Sequence, residues 1–258
     1  MNVVTLHRGT APLLISLPHD GIALPEHIAG RLTESAKNVP DTDWFVSRLY
    51  HFARHLGASL LLPSYSRYLV DLNRPPDDFS LYPGQNTTGL CPTVQFSGAP
   101  VYLPGQQPSS DEIAERVDSF WRPYHEALGA ELTRLHAAHG RVLLWEGHSI
   151  KSCVPFLFEG RLPDINLGTA GGASCNASTQ QRIERILSAQ SAYSWVSNGR
   201  FKGGYITRHY GRPADGVEAI QLELAQCNYM DEESASYDSR KAGQVQGLLD
   251  MLLRAALN

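Results

Sequence analysis

Five short apolar runs punctuate the chain: PLLISL (12–17), ASLLLP (58–63), RYLVDL (67–72), RVLLW (141–145) and AIQLELA (219–225). Their length and their β-branched and leucine content read as buried strands. Between them the apolar spacing changes to three and four residues. Phe45, Leu49, Phe52 and Leu56 mark one helix over 42–56, which Gly57 can close. A second starts at Ser109, where Glu112 has capping-box spacing, and runs to Gly140 with a kink or break expected at Pro123. Two more are expected over 177–191 and 240–257. Strands alternating with helices predict an α/β fold, a mostly parallel or mixed sheet between helical layers. Ligands of such sheets bind beyond the carboxyl ends of the strands, so polar residues there come first.

Two histidines leave strands at that end, His19 after LLISLP and His148 after VLLWEG. Imidazole is the usual nitrogen ligand of zinc, and a catalytic zinc needs three protein ligands. Each histidine could equally be a loop residue bonded to backbone. Asp41 and Asp43 are candidate third ligands, although Asp41 also reads as a helix N-cap and Asp43 as a complement to the helix dipole. Glu146 could ligate, or orient a ligand from behind. In AIQLELA the residues Ile220, Leu222 and Leu224 alternate with Gln221 and Glu223. Glu223 is then either one acid of a half-exposed strand or a general base facing the crevice.

A further cluster is cationic. NGRFKGGYITRHYGRP carries Arg200, Lys202, Arg208, His209 and Arg212 without an acid, and Arg67 and Arg74 lie in SRYLVDLNRPPDD. It is either a solvated rim or a site for an anionic small molecule, since arginine forks suit carboxylates and phosphates.

Composition narrows the options. The 258 residues are 42% hydrophobic and 19% charged with a net charge of −4, ordinary for a globular protein and without pull toward nucleic acid or membrane. No linker or repeat divides the chain, so one catalytic domain over 1–258 is expected. The N-terminal segment lacks the basic start and small-residue cleavage site of a secretory leader. Cys91, Cys153, Cys175 and Cys227 form no CxxC pair, which argues against a zinc knuckle or disulfide scaffold and for reduced thiols in a bacterial-type cytoplasm. Cys91, in TTGLCPT, stays open as a nucleophile. Neither a phosphate-binding glycine loop nor a GxSxG elbow is present.

The segments SLPHDG, PDTDWFVSRLY, VDLNRPPDD, LYPGQNTTGLCPT, LLWEGHSI, FKGGYITRHYGRP and IQLELAQCNYMDE occur in this order from about residue 10 to 235. Together they resemble the N-formylglutamate amidohydrolase family. The resemblance implies a three-layer α/β sandwich with a mixed, mostly parallel sheet, akin to zinc carboxypeptidases and aspartoacylases. It implies a metal-dependent hydrolase converting N-formyl-L-glutamate to formate and L-glutamate, the last step of one histidine-degradation route. Carried over by position, His19, Asp43 and His148 hold a divalent metal, with zinc preferred and manganese, iron or cobalt suited to the same donors. Glu223 is the general base toward a metal-activated water, and Asn73, Arg74 and Arg208 bind the substrate. Asp41, Glu146, Arg67 and His209 stand in reserve or in support. The family pattern leads to expect an acid followed by a small residue, often Asp-Ala, before the histidine; here it reads Glu146–Gly147, one methylene longer. The competing readings are a related zinc amidohydrolase of another N-acyl amino acid or γ-glutamyl peptide, and a non-catalytic binder of an anionic metabolite.

Overall fold

The computed structural model describes residues 2–81 and 83–258. In chain order its strands are β1 (Val4–His7), β2 (Leu13–Ser16), β3 (Ser59–Pro63), β4 (Val142–Ile150), β5 (Ile165–Gly168), β6 (Trp195–Ser197) and β7 (Val217–Ala225). They form one mixed sheet of seven strands in the order β1-β3-β2-β4-β7-β5-β6. The inner four run parallel, β1 and β5 pair antiparallel with β3 and β7, and β6 lies parallel to β5. A small hairpin, β8 (Met230–Asp231) with β9 (Ser236–Tyr237), follows.

The helices are α1 (Glu26–Ala29), α2 (Glu34–Lys37), α3 (Val46–Tyr50), α4 (Ser110–Arg116), α5 (Arg122–His139), α6 (Ala177–Ala189), α7 (Tyr205–Tyr210) and α8 (Ser239–Leu257). Strand alternation sorts the core into two layers. Ile15, Trp145, Leu222 and Leu224 pack under Leu49 of α3, Ile183 of α6 and Leu249 of α8. Leu14, Leu144 and Ala219 face the other way, against Tyr124 and Leu128 of α5 and Ile206 of α7. The fold is α/β, with helices on both faces of the sheet.

Four expectations change. RYLVDL is not a strand: its backbone turns, with Leu69 N–H donating to Ser66 O and Arg74 N–H to Asp71 O. Tyr68, Leu69 and Val70 are nevertheless buried, so the apolar run reported burial without reporting conformation. The helix expected over 42–56 begins only at Val46 and passes into a 3-10 turn over His51–Leu56. Ser109 caps α4 as its spacing required, and the disturbance expected at Pro123 takes the form of a π turn just before it rather than a gap between helices. A π turn over Val117–Trp121 joins α4 to α5, and its wider register accommodates a residue without an N–H. Finally, β4 does not stop at Trp145; it continues through Glu146 and His148 to Ile150, buried throughout.

Candidate active site

β4 and β7 place the polar half of the site by register alone. His148 lies opposite Glu223 and Glu146 opposite Gln221, all continuing the sheet face that α5 and α7 cover nearer the amino ends of the strands. Beyond those helices the face is covered by loops, and the side chains there turn from apolar to ionisable. On the opposite face Gly147 sits under the core. A Cβ there would come 2.7 Å from Leu17 Cδ2 and 2.8 Å from the Tyr50 ring, so only glycine fits without repacking. His19 arrives from the turn after β2. Gly21 lets that turn cross the chain at Tyr65, where a Cβ would lie 2.3 Å from a backbone oxygen. Asp43 N–H donates to His19 O, which brings the segment before α3 alongside.

His19, Asp43 and His148 thus converge, each offering one donor atom, with all three atoms within 4.8 Å of one another. They are 5%, 2% and 2% exposed, far below what single charged groups tolerate without partners. The partners are specific. His148 Nε2 donates to Glu146 at 2.8 Å while Nδ1 faces Asp43 at 3.0 Å. His19 Nε2 is held by Asp71 at 2.7 Å, and its Nδ1 lies 3.7 Å from Asp43. Each imidazole therefore has a carboxylate behind Nε2 and turns Nδ1 toward the shared point, as second-shell carboxylates orient metal-binding histidines. Burial alone would lower the His148 pKa, but Glu146 and Asp43 hold it well above the ordinary histidine value. Burial would raise Asp43 and Asp71. The two histidines hold the Asp43 carboxyl below the usual range, and His19 and Arg67 do the same for Asp71.

Glu223 stands apart. Among the described residues no hydrogen bond to its carboxylate is formed, and burial, reinforced by the charge of Asp43, pushes its pKa up to about 8 against the pull of His148. It lines a cavity of about 590 Å³, mouth included, together with the three clustered residues, Arg67, Asn73, Arg74 and Arg200. Arg74 Nε donates to Thr88 O, and Arg200 to Leu157 O and Asn86 O, which places the two guanidinium groups on loops at the cavity wall.

A match to the family model described as N-formylglutamate amidohydrolase spans residues 11–230. The chain belongs to this family. It is similar to the N-formylglutamate deformylases of Pseudomonas putida (49% identical) and Pseudomonas aeruginosa (50%), in each case over 99% of this chain and 96% of the relative. The crystal structure of N-formylglutamate amidohydrolase from Ralstonia eutropha JMP134 superposes with a TM-score of 0.84 at 25% identity, covering 99% of this chain and 97% of that one. A gene product of Agrobacterium tumefaciens shares the fold at a TM-score of 0.72 and 17% identity, over 100% and 97% of the two chains.

Within this amidohydrolase framework most of the residues singled out in the sequence come together, and some do not. Asp41 points away from the cluster: it accepts from Tyr68 Oη at 2.7 Å and Phe96 N–H at 2.8 Å, and burial raises its pKa. It does not cap α3 either, whose N-cap is Phe45. Arg67 is buried and pairs with Asp71 at 2.7 Å and Asp43 at 3.8 Å, a supporting position. Arg208 is exposed on α7 with its Nε bonded to Gly203 O, outside the cavity lining, and His209 is exposed and stacks on Tyr205. Cys91 is buried, with its thiol pushed up to about 11 by that burial, an environment unlike that of a nucleophile. Asp71 went unassigned in the sequence. The available signal was an acid inside an apolar run, which a strand reading hid.

Proposed function

We propose that the chain hydrolyses N-formyl-L-glutamate to formate and L-glutamate with a divalent metal ion, zinc by preference, at His19, Asp43 and His148. The observation that carries this reading is a two-histidine, one-carboxylate cluster converging within 4.8 Å, with a second acid, Glu223, lining the same cavity. Two imidazoles and a carboxylate match the donor set of hydrolytic zinc sites, and the carboxylates behind both Nε2 atoms leave Nδ1 to ligate. A cation held there would displace a proton from His148 Nδ1, which faces Asp43 at 3.0 Å. When bound, the ion supplies Lewis acidity, lowering the pKa of water from 15.7 toward about 7 and polarising the formyl carbonyl.

The side chains account for the rest. Glu223, once ionised, takes the proton of the water that attacks the formyl carbon, and returns it to the glutamate nitrogen as the C–N bond breaks. A carboxyl raised to about 8 in the metal-free site is lowered when a dication binds beside it, toward the range in which one group both accepts and donates. Arg74 and Arg200 are the cations that hold the α- and γ-carboxylates, in place of the exposed Arg208. Their grip fixes the reacting carbonyl, because a formyl group offers almost nothing to bind. Phe96, Leu157 and Phe201 in the cavity wall exclude water from around the attack.

Metal analysis alongside formate release from N-formyl-L-glutamate tests the proposal. Close to one ion per chain with formate release is the expected result, and N-acetyl-L-glutamate should be a poor substrate. A metal-free protein that releases formate at full rate removes the ion from the reaction. Metal binding with no action on any N-acylglutamate removes the substrate.

A further inference from the structure

The segment Asp71–Arg74 supplies three side chains to the site yet has no strand or helix to hold it. Asp71 grips His19, Asn73 Nδ2 lies 3.2 Å from His148 Nε2, and Arg74 forms part of the cavity wall. A buried irregular segment must find donors for its carbonyls elsewhere. Asp71 O accepts from Arg74 N–H within the turn, and Asn73 O from Tyr205 N–H at the start of α7. The other two are met by side chains of the long helix: His125 Nε2 donates to Leu72 O at 2.9 Å, and Trp121 Nε1 to Arg74 O at 2.9 Å.

These two donors form one unit. Trp121 ends the π turn and His125 follows one helical turn later, with the rings stacked at 3.7 Å and an interplanar angle of 22°. Leu72 O can only accept, so the neutral ring carries its proton on Nε2, and Nδ1 faces Tyr210 Oη at 3.0 Å. Burial pushes His125 down to about 3, so the ring stays neutral and keeps that tautomer at any working pH. Neither ring is among the described residues lining the cavity.

We infer that His125, stacked on Trp121, is a positioning residue for the reaction: its Nε2 donor and that of Trp121 set the Asp71–Arg74 segment, and through it the aim of His19 at the ion and of Arg74 at the substrate. The inference rests on the metal-dependent reading above. A donor-free helix at these two positions would leave the buried Leu72 carbonyl and the partly buried Arg74 carbonyl unmet, and the segment would shift to recover partners. Displacing Asp71 would loosen His19, and outer-shell losses of that kind typically cost 10- to 100-fold in metal affinity or activity, by order of magnitude.

The test compares His125→Phe, which keeps a stacking ring without the donor, with His125→Gln, which keeps an N–H near the same place. Zinc affinity of the substrate-free protein, by competition against a chelator, is read beside kcat and KM. His125→Phe is expected to bind zinc roughly tenfold more weakly and to raise KM roughly tenfold, at the low end of outer-shell effects, and His125→Gln to recover most of both. A folded His125→Phe with wild-type zinc affinity and KM overturns the inference, as does a His125→Gln as impaired as His125→Phe. Should His125→Phe fail to fold, Trp121→Phe decides: it keeps the stack and loses only the donor to Arg74 O, and an unchanged KM then overturns the inference. A wild-type protein that neither binds metal nor releases formate defeats the functional reading itself, which is a different result.

Discussion

The two faces of β4 and β7 share one backbone and differ in what they bury. On one face Trp145, Leu222 and Leu224 lie under α3 and α8, with Gly147 leaving no room even for a methyl group. On the other the same strands bury Glu146, His148, Gln221 and Glu223 within a few ångströms of one another. The apolar face gains stability from transfer and packing. The polar face carries a desolvation cost that ion pairs and hydrogen bonds offset at Asp43, Asp71 and His148 but not at Glu223, the residue least compensated. Changes on one face should therefore cost stability at unchanged chemistry, and neutralising the uncompensated Glu223 on the other should cost chemistry at little stability.

Glu223→Gln should separate the faces most sharply. Turnover should fall by about 10² to 10⁴, the usual contribution of a general base, with metal content kept. Normal turnover would remove Glu223 from the reaction. Asp71→Asn should come next, with zinc affinity or activity down about 10- to 100-fold, since the group behind His19 is weakened while the ligand remains. A zinc titration equal to wild type would show that His19 needs no such support.

Gly147→Ala tests the other face. Overpacking against Leu17 and Tyr50 should cost about 1–3 kcal/mol, read as a lower denaturation midpoint, with kcat per folded molecule preserved. Equal loss of kcat would mean that the faces are coupled.

The pH dependence of the metal-free protein carries a sign. The Glu223 carboxyl is raised from 4.5 to about 8 on folding, chiefly by burial, so the folded state holds its proton where the unfolded state has lost it. Its contribution to stability is full below pH 4.5 and is lost as pH rises through about 8. His148, raised by Glu146 and Asp43, adds a loss in the same direction above 6.5. In the presence of a chelator, the denaturation midpoint should fall between pH 5 and 9, and less steeply in Glu223→Gln. Identical slopes would mean that Glu223 is not raised. The smallest effect is expected of Arg208→Ala: exposed and outside the cavity, it should change KM less than Arg74→Ala or Arg200→Ala does.

The same contrast explains what could be read from residue order. His19, His148 and Glu223 stand out because each interrupts or follows an apolar run, and alternation in AIQLELA put Glu223 opposite the core leucines, as observed. Asp71 escaped because its partner lies 52 residues away and its own run turns where a strand was expected. Residue order ends the strand before Glu146 and His148 because polarity there resembles the end of burial, whereas ion pairing allows burial to continue. The cationic segment showed that arginines gather near the site without showing which of them turn inward; a short helix sends Arg208 outward and the preceding loop brings Arg200 in.

The central claim is that the polar half of this face becomes a hydrolytic site when His19, Asp43 and His148 hold one ion. Zinc titrated into chelator-stripped protein, with bound metal and formate release followed together, measures this directly. Activity absent at the start and rising in proportion to bound zinc up to one equivalent is the expected result. Formate released at the full rate before any zinc is added would contradict it.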